Sequence, residues 1–126
     1  MNEHEYDAEE AYHQELLLTA LCNEIRGYFG EEVENAEVRA PGDLDSLRIF
    51  GPLTQAIDVR IGRGNHLLVL TPSVLDLGAT RDTMIKFIHV LQHPLGDLLH
   101  AGHAILTWDA DAEEFHAEPY DPRATR

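Results

Sequence analysis

The chain has very little cysteine and serine, and each shortage excludes a class of site. Its only cysteine, Cys22, cannot form an internal disulfide, and a zinc site built from several cysteines is excluded as well. Its two serines, Ser46 and Ser73, both stand outside the G-x-S-x-G motif of serine hydrolases. The sequence therefore contains neither a multi-cysteine metal site nor a serine nucleophile in a recognisable motif.

Basic residues are also scarce, because nine Lys and Arg stand against 23 Asp and Glu and give a formal net charge of −14. Proteins bind nucleic-acid phosphates mainly through Lys and Arg, so we predict no direct contact with nucleic acid. No apolar run is long enough for a membrane span, and the chain does not open with a basic, apolar leader. We therefore expect a cytoplasmic protein with no membrane partner.

The acidic residues are concentrated toward the two ends of the chain. Residues 1–37 contain eleven acids and one base and carry −10, whereas residues 38–108 contain six of each sign and are neutral. Residues 109–126 contain six acids and two arginines and carry −4. Segregated charge of one sign favours encounter with a surface of the opposite sign. The predicted partner-binding residues are Glu9, Glu10, Glu15, Glu31, Glu32, Glu34, Glu37, Asp109, Asp111, Glu113 and Glu114.

Hydrophobic spacing predicts two main helices. Apolar residues recur every three or four positions and predict an amphipathic helix over residues 9–29. The inner stripe of this helix is predicted to contain Leu17, Leu18, Leu21, Ile25, Tyr28 and Phe29. A second helix is predicted over residues 81–92 with Thr80 as its N-cap, and Pro94 is expected to break it and to begin a further short helix.

Strand patterns occupy the middle and the end of the chain. Alternating apolar residues predict a strand over residues 56–61, which pairs with residues 66–71 in a hairpin. Shorter strands are expected to open at Val38 and to cover residues 47–50. Residues 104–108 and 114–117 predict a C-terminal β-hairpin.

Together these elements predict an α+β fold. It consists of an N-terminal helix, a three- to four-stranded mostly antiparallel sheet, a second helix broken at a proline and a C-terminal β-hairpin. The length fits one domain. We predict a flexible acidic N-terminus over residues 1–8, a single α+β domain over residues 9–118 and a loose C-terminal tail over residues 119–126.

Histidines are the strongest candidates for a metal site, since His89, His93, His100 and His103 fall within fifteen residues. His89 and His93 are four residues apart and could share one face of a helix. The glutamate of an H-E-x-x-H motif is absent, however, and a proline follows His93 directly. We therefore predict no metal and no cofactor.

No catalytic motif accompanies these features, so we predict a protein without enzymatic activity. The charge pattern indicates a small acidic interaction protein that binds and blocks a basic surface of a partner protein, and the alternative is that the charge only keeps the protein soluble. Inhibitors, immunity proteins and phage anti-defence proteins act in this way. Some of them mimic the charge of nucleic acid, and the partner would then be a nucleic-acid-binding protein.

Two resemblances provide alternative hypotheses. The order of helix, strands, helix and hairpin, with the small-residue segment 101–106, resembles that of class I type III secretion chaperones, and this implies a homodimer that binds a secreted effector. Residues 119–126 do not match the C-terminal helix of that family. Asp58, on a strand before an apolar strand, resembles the core of PD-(D/E)xK nucleases. The required acid and lysine are replaced by residues 70–72, which implies an inactive nuclease-like domain.

Overall fold

The protein consists of one β-sheet with helices packed against it. The structure is a computed structural model, and it describes residues 3–38, 55–62 and 64–120; for residues 3–12 it describes the backbone alone. In chain order its elements are helix α1 (Glu3–Phe29), a 3-10 turn (Gly30–Glu32), strands β1 (Val33–Val38), β2 (Gln55–Ile61) and β3 (Gly64–Leu70), helices α2 (Pro72–Leu75) and α3 (Arg81–Val90), a junction (Leu91–Leu95), helix α4 (Gly96–Ala101), and strands β4 (Ala104–Asp109) and β5 (Glu114–Pro119).

The five strands lie in the order β1-β2-β3-β4-β5. The first three form an antiparallel meander, β4 runs parallel to β3, and β5 pairs antiparallel with β4. Parallel neighbours require a crossover, and helices α2 to α4 provide it. The α+β class and the C-terminal hairpin are confirmed. The prediction of three to four strands is wrong, because the crossover adds the hairpin to the meander and produces five strands in a mixed sheet.

Helix α1 covers the meander through its buried stripe. Leu17, Leu21 and Ile25 are completely buried, as a 3-to-4 spacing requires for one helix face. The helix begins at Glu3, six residues before the predicted start. Tyr28 does not belong to the buried stripe, since it is 45% exposed and its ring packs edge-on against Phe29 at 5.0 Å between centroids.

The central hairpin agrees with the alternation in the sequence. Ile57 and Val59 on β2 are completely buried, and Ile57 pairs with Leu68 on β3. The prediction that a strand opens at Val38 is wrong, because β1 begins at Val33 and has Val38 as its last residue. An irregular register between Val33 and Asn35 disrupts the strand pattern at its start. The strand predicted over residues 47–50 lies outside the described residues.

The chain between α3 and α4 differs from the predicted proline break. Helix α3 ends at Val90, two residues before the predicted end, and α4 begins at Gly96 rather than at Pro94. His93 adopts an extended conformation with φ −169° and ψ 122°, because a proline disfavours helical geometry in the residue before it. The Thr80 N-cap is confirmed, since its hydroxyl oxygen accepts a hydrogen bond from the Thr83 N–H at 3.2 Å.

The structure also shows the environment of Cys22 and the start of the predicted tail. Cys22 is a buried packing residue of α1, and burial raises the pKa of its thiol above the ordinary value. The tail was predicted to begin at residue 119, but β5 continues to Pro119. Tyr120 is buried, and its N–H donates to the His103 carbonyl at 2.9 Å. Residues 121–126 lie outside the description.

The contact of α1 with α4 depends on the absence of a side chain at Gly96. A Cβ at that position would lie 2.6 Å from the Leu91 carbonyl oxygen and 2.9 Å from Cε2 of Tyr28. We predict that Gly96→Ala lowers the free energy of unfolding by about 1–3 kcal/mol, as overpacking of a well-packed site does. The urea midpoint of unfolding measures this change.

Gly27→Ala is the matched control, because Gly27 lies in a helix with no atom within 4 Å of the added Cβ. This substitution should raise the free energy of unfolding by about 0.5–1 kcal/mol through helix propensity. A Gly96→Ala protein as stable as the Gly27→Ala protein would show that α1 and α4 do not pack as described.

Candidate functional site

The first acidic group lies where α1 passes into the edge strand β1. Glu31 and Glu32 belong to the 3-10 turn, Glu34 and Glu37 belong to β1, and all four side chains are exposed. Gly30 adopts a positive φ of 61°, which turns the chain at this point. The four carboxylates therefore follow one another along the edge strand β1 and the turn before it.

One of these four carboxylates has an ionic partner among the described residues. The Glu32 carboxylate lies 3.0 Å from Nε2 of His100 on α4, and both side chains are about half exposed or more. A pair of this kind carries opposite charges only when the imidazole is protonated. Fixed positive charge also lies close to the group, since Arg26 donates to the Ala36 carbonyl of β1 and Arg60 is in register with Asn35, but neither forms an ion pair with the four carboxylates among the described residues.

The second acidic group forms the turn between β4 and β5. The Asp109 carboxylate accepts hydrogen bonds from the backbone N–H groups of Asp111 at 3.0 Å and Ala112 at 3.2 Å. These bonds, with His116 beside the carboxylate, hold the pKa of Asp109 below its usual value. Asp109 thus stabilises the turn. The sequence predicted it only as a partner-binding residue and did not indicate this structural role.

Other acids of this turn point to solvent. Asp111, Glu113 and Glu114 are exposed, and Glu113 has a left-handed backbone with φ 54°. His116 on β5 lies 3.4 Å from the Asp109 carboxylate and 3.6 Å from that of Glu114. The turn therefore presents several carboxylates on a backbone fixed by hydrogen bonds.

The sheet topology separates the two acidic groups. Strands β1 and β5 are the outer members of the five-strand order, so four interstrand spacings, or about 19 Å, lie between them. Strands β1 and β4 run in the same direction, which places the 3-10 turn at one end of the sheet and the β4–β5 turn at the other. The structure does not merge the predicted residues into one patch.

The remaining predicted acids belong to α1. Glu9 and Glu10 lie in the helix, where their side chains are outside the description, and Glu15 is exposed. Glu15 lines a shallow groove of about 350 Å³ between α1 and the ends of β1 and β2, together with Val38 and Gln55. This side of α1 is thus close to the far end of β1.

The histidines do not assemble a metal site. His89 and His93 both line an open cleft of about 450 Å³ between α3 and the β4–β5 turn, with Glu113, Glu114 and Lys86 also on its walls. Even so, no group of three or more His, Cys, Asp or Glu in the described parts of the chain is placed to hold a metal ion. The sequence did not indicate this cleft, because its two walls come from segments about twenty residues apart.

A nuclease-like centre is not assembled around Asp58 in the described residues. Asp58 on β2 is in register with Glu37 on β1 and with Leu67 on β3. Strand β3 contains neither an acid nor a lysine. Lys86 lies on α3, where its ammonium is 3.6 Å from the Asp82 carboxylate and 5.4 Å from the centre of the Trp108 ring.

Comparison with protein-family models, curated proteins and solved structures finds no match for this chain. Among the helices of the described residues, none combines the length and the apolar character that crossing a membrane would require. The interpretation of the site therefore depends on its own geometry and charge.

The role of Asp109 in the turn predicts a specific pH dependence. Asp109→Ala should lower the urea midpoint near pH 7, because two backbone N–H groups lose their acceptor. The pKa of Asp109 is lower in the folded than in the unfolded protein, so its ionised carboxylate stabilises the fold when the pH is above the unfolded pKa. This stabilisation is lost as the pH falls through the folded pKa. The difference in urea midpoint between the native protein and Asp109→Ala should therefore become smaller in acid, below about pH 4.

The control for this measurement is Asp111→Asn, which removes a neighbouring exposed carboxylate but leaves the Asp111 N–H as a donor to Asp109. Its urea midpoint should stay close to that of the native protein near pH 7. An Asp109→Ala gap of the same size at all pH values would contradict the assigned role of the Asp109 charge.

Proposed function

We propose that this protein is a non-catalytic acidic interaction protein that binds and blocks a basic surface of a partner protein. The observation that carries the proposal is the exposure of Glu31, Glu32, Glu34 and Glu37 on ordered backbone beside α1. Their only ionic partner among the described residues is a histidine. Exposed carboxylates attract a basic surface at a distance.

The described acids of the neutral middle are either paired with a base or isolated, whereas those at the ends are grouped. This contrast supports a specific role for the acidic ends. Asp82 lies one helical turn before Lys86 and pairs with it. Asp76 and Asp97 are exposed single acids on separate elements. Solubility alone could be served by scattered acids of this kind, whereas a cluster beside one edge strand presents a directed field.

The β4–β5 turn provides a second charged contact in the same proposal. Its backbone is fixed by the Asp109 hydrogen bonds, so little conformational freedom is lost when a partner binds. A partner that contacts both turns must extend across four strand spacings, about 19 Å, and also along the strands, because the turns lie at different ends of the sheet. A groove or channel lined with Lys and Arg, as in a nucleic-acid-binding protein, has suitable charge and extent.

The test compares two double variants with the same net charge. Glu31→Gln with Glu34→Gln removes charge from the acidic group, whereas Asp76→Asn with Asp97→Asn removes it from the neutral middle. Each changes the formal charge from −14 to −12, since two acids are lost. The partner is first isolated from a cell extract at low salt with the native protein as bait. The association and dissociation rates of each variant with the purified partner are then measured across a salt series.

We expect the Glu31/Glu34 variant to associate about tenfold more slowly at low salt, with a smaller change in dissociation, because exposed charges act on encounter. The Asp76/Asp97 variant should behave as the native protein. The difference should shrink as salt shortens the Debye length from about 10 Å at 0.1 M to about 3 Å at 1 M.

Equal association rates for the two variants, or an affinity independent of salt, would contradict the proposal. Salt-independent binding would instead favour an apolar contact of the kind that the secretion-chaperone alternative requires. The homodimer and the inactive nuclease-like domain stay predictions.

A further inference from the structure

The pairing of β3 with β4 is short and is supported by side chains at both ends. Its register contains three pairs, from Leu68 with Ala104 to Leu70 with Leu106. At one end, the Thr71 hydroxyl donates to the Leu106 carbonyl at 3.1 Å, and Ser73 Oγ accepts from the Trp108 N–H at 3.1 Å. At the other end stands His103. We name this parallel pairing, with its end contacts, the β3–β4 seam.

His103 takes the place of a strand carbonyl at its end of the seam. Its Nδ1 accepts a hydrogen bond from the Leu67 backbone N–H at 2.9 Å. Because a backbone N–H can only donate, Nδ1 must be unprotonated in this contact, and the ring proton of the neutral imidazole is on Nε2. The bond joins residues 36 positions apart and extends the ladder by one hydrogen bond.

Protonation of this imidazole is incompatible with the contact. An imidazolium ring has two donors and no acceptor, so the Leu67 N–H would face another N–H group. We propose that His103 is an acid-sensitive latch of the β3–β4 seam, which holds the hairpin against the meander when neutral and releases this end of the seam when protonated. The inference goes beyond the proposed function and does not depend on it.

Titratable neighbours around His103 reinforce or oppose this effect. The His66 ring on β3 is perpendicular to the His103 ring at 5.9 Å between centroids, and its Nδ1 donates to the Leu99 carbonyl. Charge on both rings at this distance is repulsive and adds to the opening in acid. Tyr120 also contacts the latch, through its backbone N–H on the His103 carbonyl.

His100, three residues before His103 and on α4, contributes in the opposite direction. Its pair with Glu32 is strengthened when the imidazole is protonated, but both side chains are substantially exposed, and exposed pairs of this kind contribute little. This pair is present in native protein and in His103 variants alike. A comparison between them therefore isolates the latch.

The first test uses His103→Asn, since an asparagine side-chain oxygen can accept from the Leu67 N–H and does not titrate. Between about pH 7.5 and pH 5.5, the unfolding equilibrium constant of the native protein should rise about tenfold more than that of His103→Asn, as expected when a partly buried donor loses its acceptor. His89→Asn is the control, because His89 is an exposed histidine of α3 with the same titrating group. It should retain the native pH response.

A second measurement needs no variant and applies even if His103→Asn does not fold. Nitrogen-15 spectra of the native protein should show an unprotonated Nδ1 and a protonated Nε2 on His103 near neutral pH. Hydrogen exchange of the Leu67 amide, corrected for its intrinsic pH dependence, should become about tenfold faster over the same pH interval. A protonated Nδ1 near pH 7, or equal pH responses in native and His103→Asn proteins, would overturn the latch.

Discussion

The parallel pairing of β3 with β4 is the contact on which the remaining architecture depends. It joins the β1–β2–β3 meander to the β4–β5 hairpin, and neither unit could bury its apolar face equally well alone. Because the register has only three pairs, contacts from Thr71, Ser73 and His103 complete hydrogen bonds that a longer ladder would make through backbone. The crossover helices then have to lie over the sheet, where Phe87, Leu91 and Leu99 enter the common core.

Helix α1, at the N-terminal end of the chain, covers the core together with the crossover helices. Its buried stripe lies over the meander, and the Arg26 guanidinium donates to the Ala36 carbonyl of β1. Near its C-terminal end, Tyr28 passes close to Gly96, and Glu32 in the following turn meets His100. The α1–β1 connection is therefore attached to the crossover, so the first acidic group lies on a supported part of the fold.

The acidic residues lie around this core and do not form it. Apolar residues from α1, the sheet and the crossover fill the core cluster, whereas Glu31, Glu34, Asp111 and Glu113 are exposed. Asp109 is the exception, since its carboxylate supports a turn as well as carrying charge. An excess of surface acids costs the fold some self-repulsion, and a basic partner would remove that cost. This physical reason links the charge segregation to the proposed binding function.

The sequence by itself determined the features that depend on neighbours along the chain. The 3-to-4 spacing of Leu17, Leu21 and Ile25, the alternation in β2 and the cap at Thr80 each reflect contacts within a few residues, and the structure contains all three. The charge segregation is likewise a property of composition alone. These local signals were sufficient for the α+β class and for the two hairpins.

Only the tertiary structure decided how the two hairpins are combined and where the acids lie. No local pattern indicates that residue 68 pairs with residue 104, or that His103 serves as the acceptor for Leu67, because these contacts join segments about 36 residues apart. The same crossover fixes the strand order and thereby places the two acidic groups at different ends of opposite edges of the sheet. Such long-range choices follow from burying the apolar faces of both units together, and that free energy belongs to the whole fold rather than to any segment.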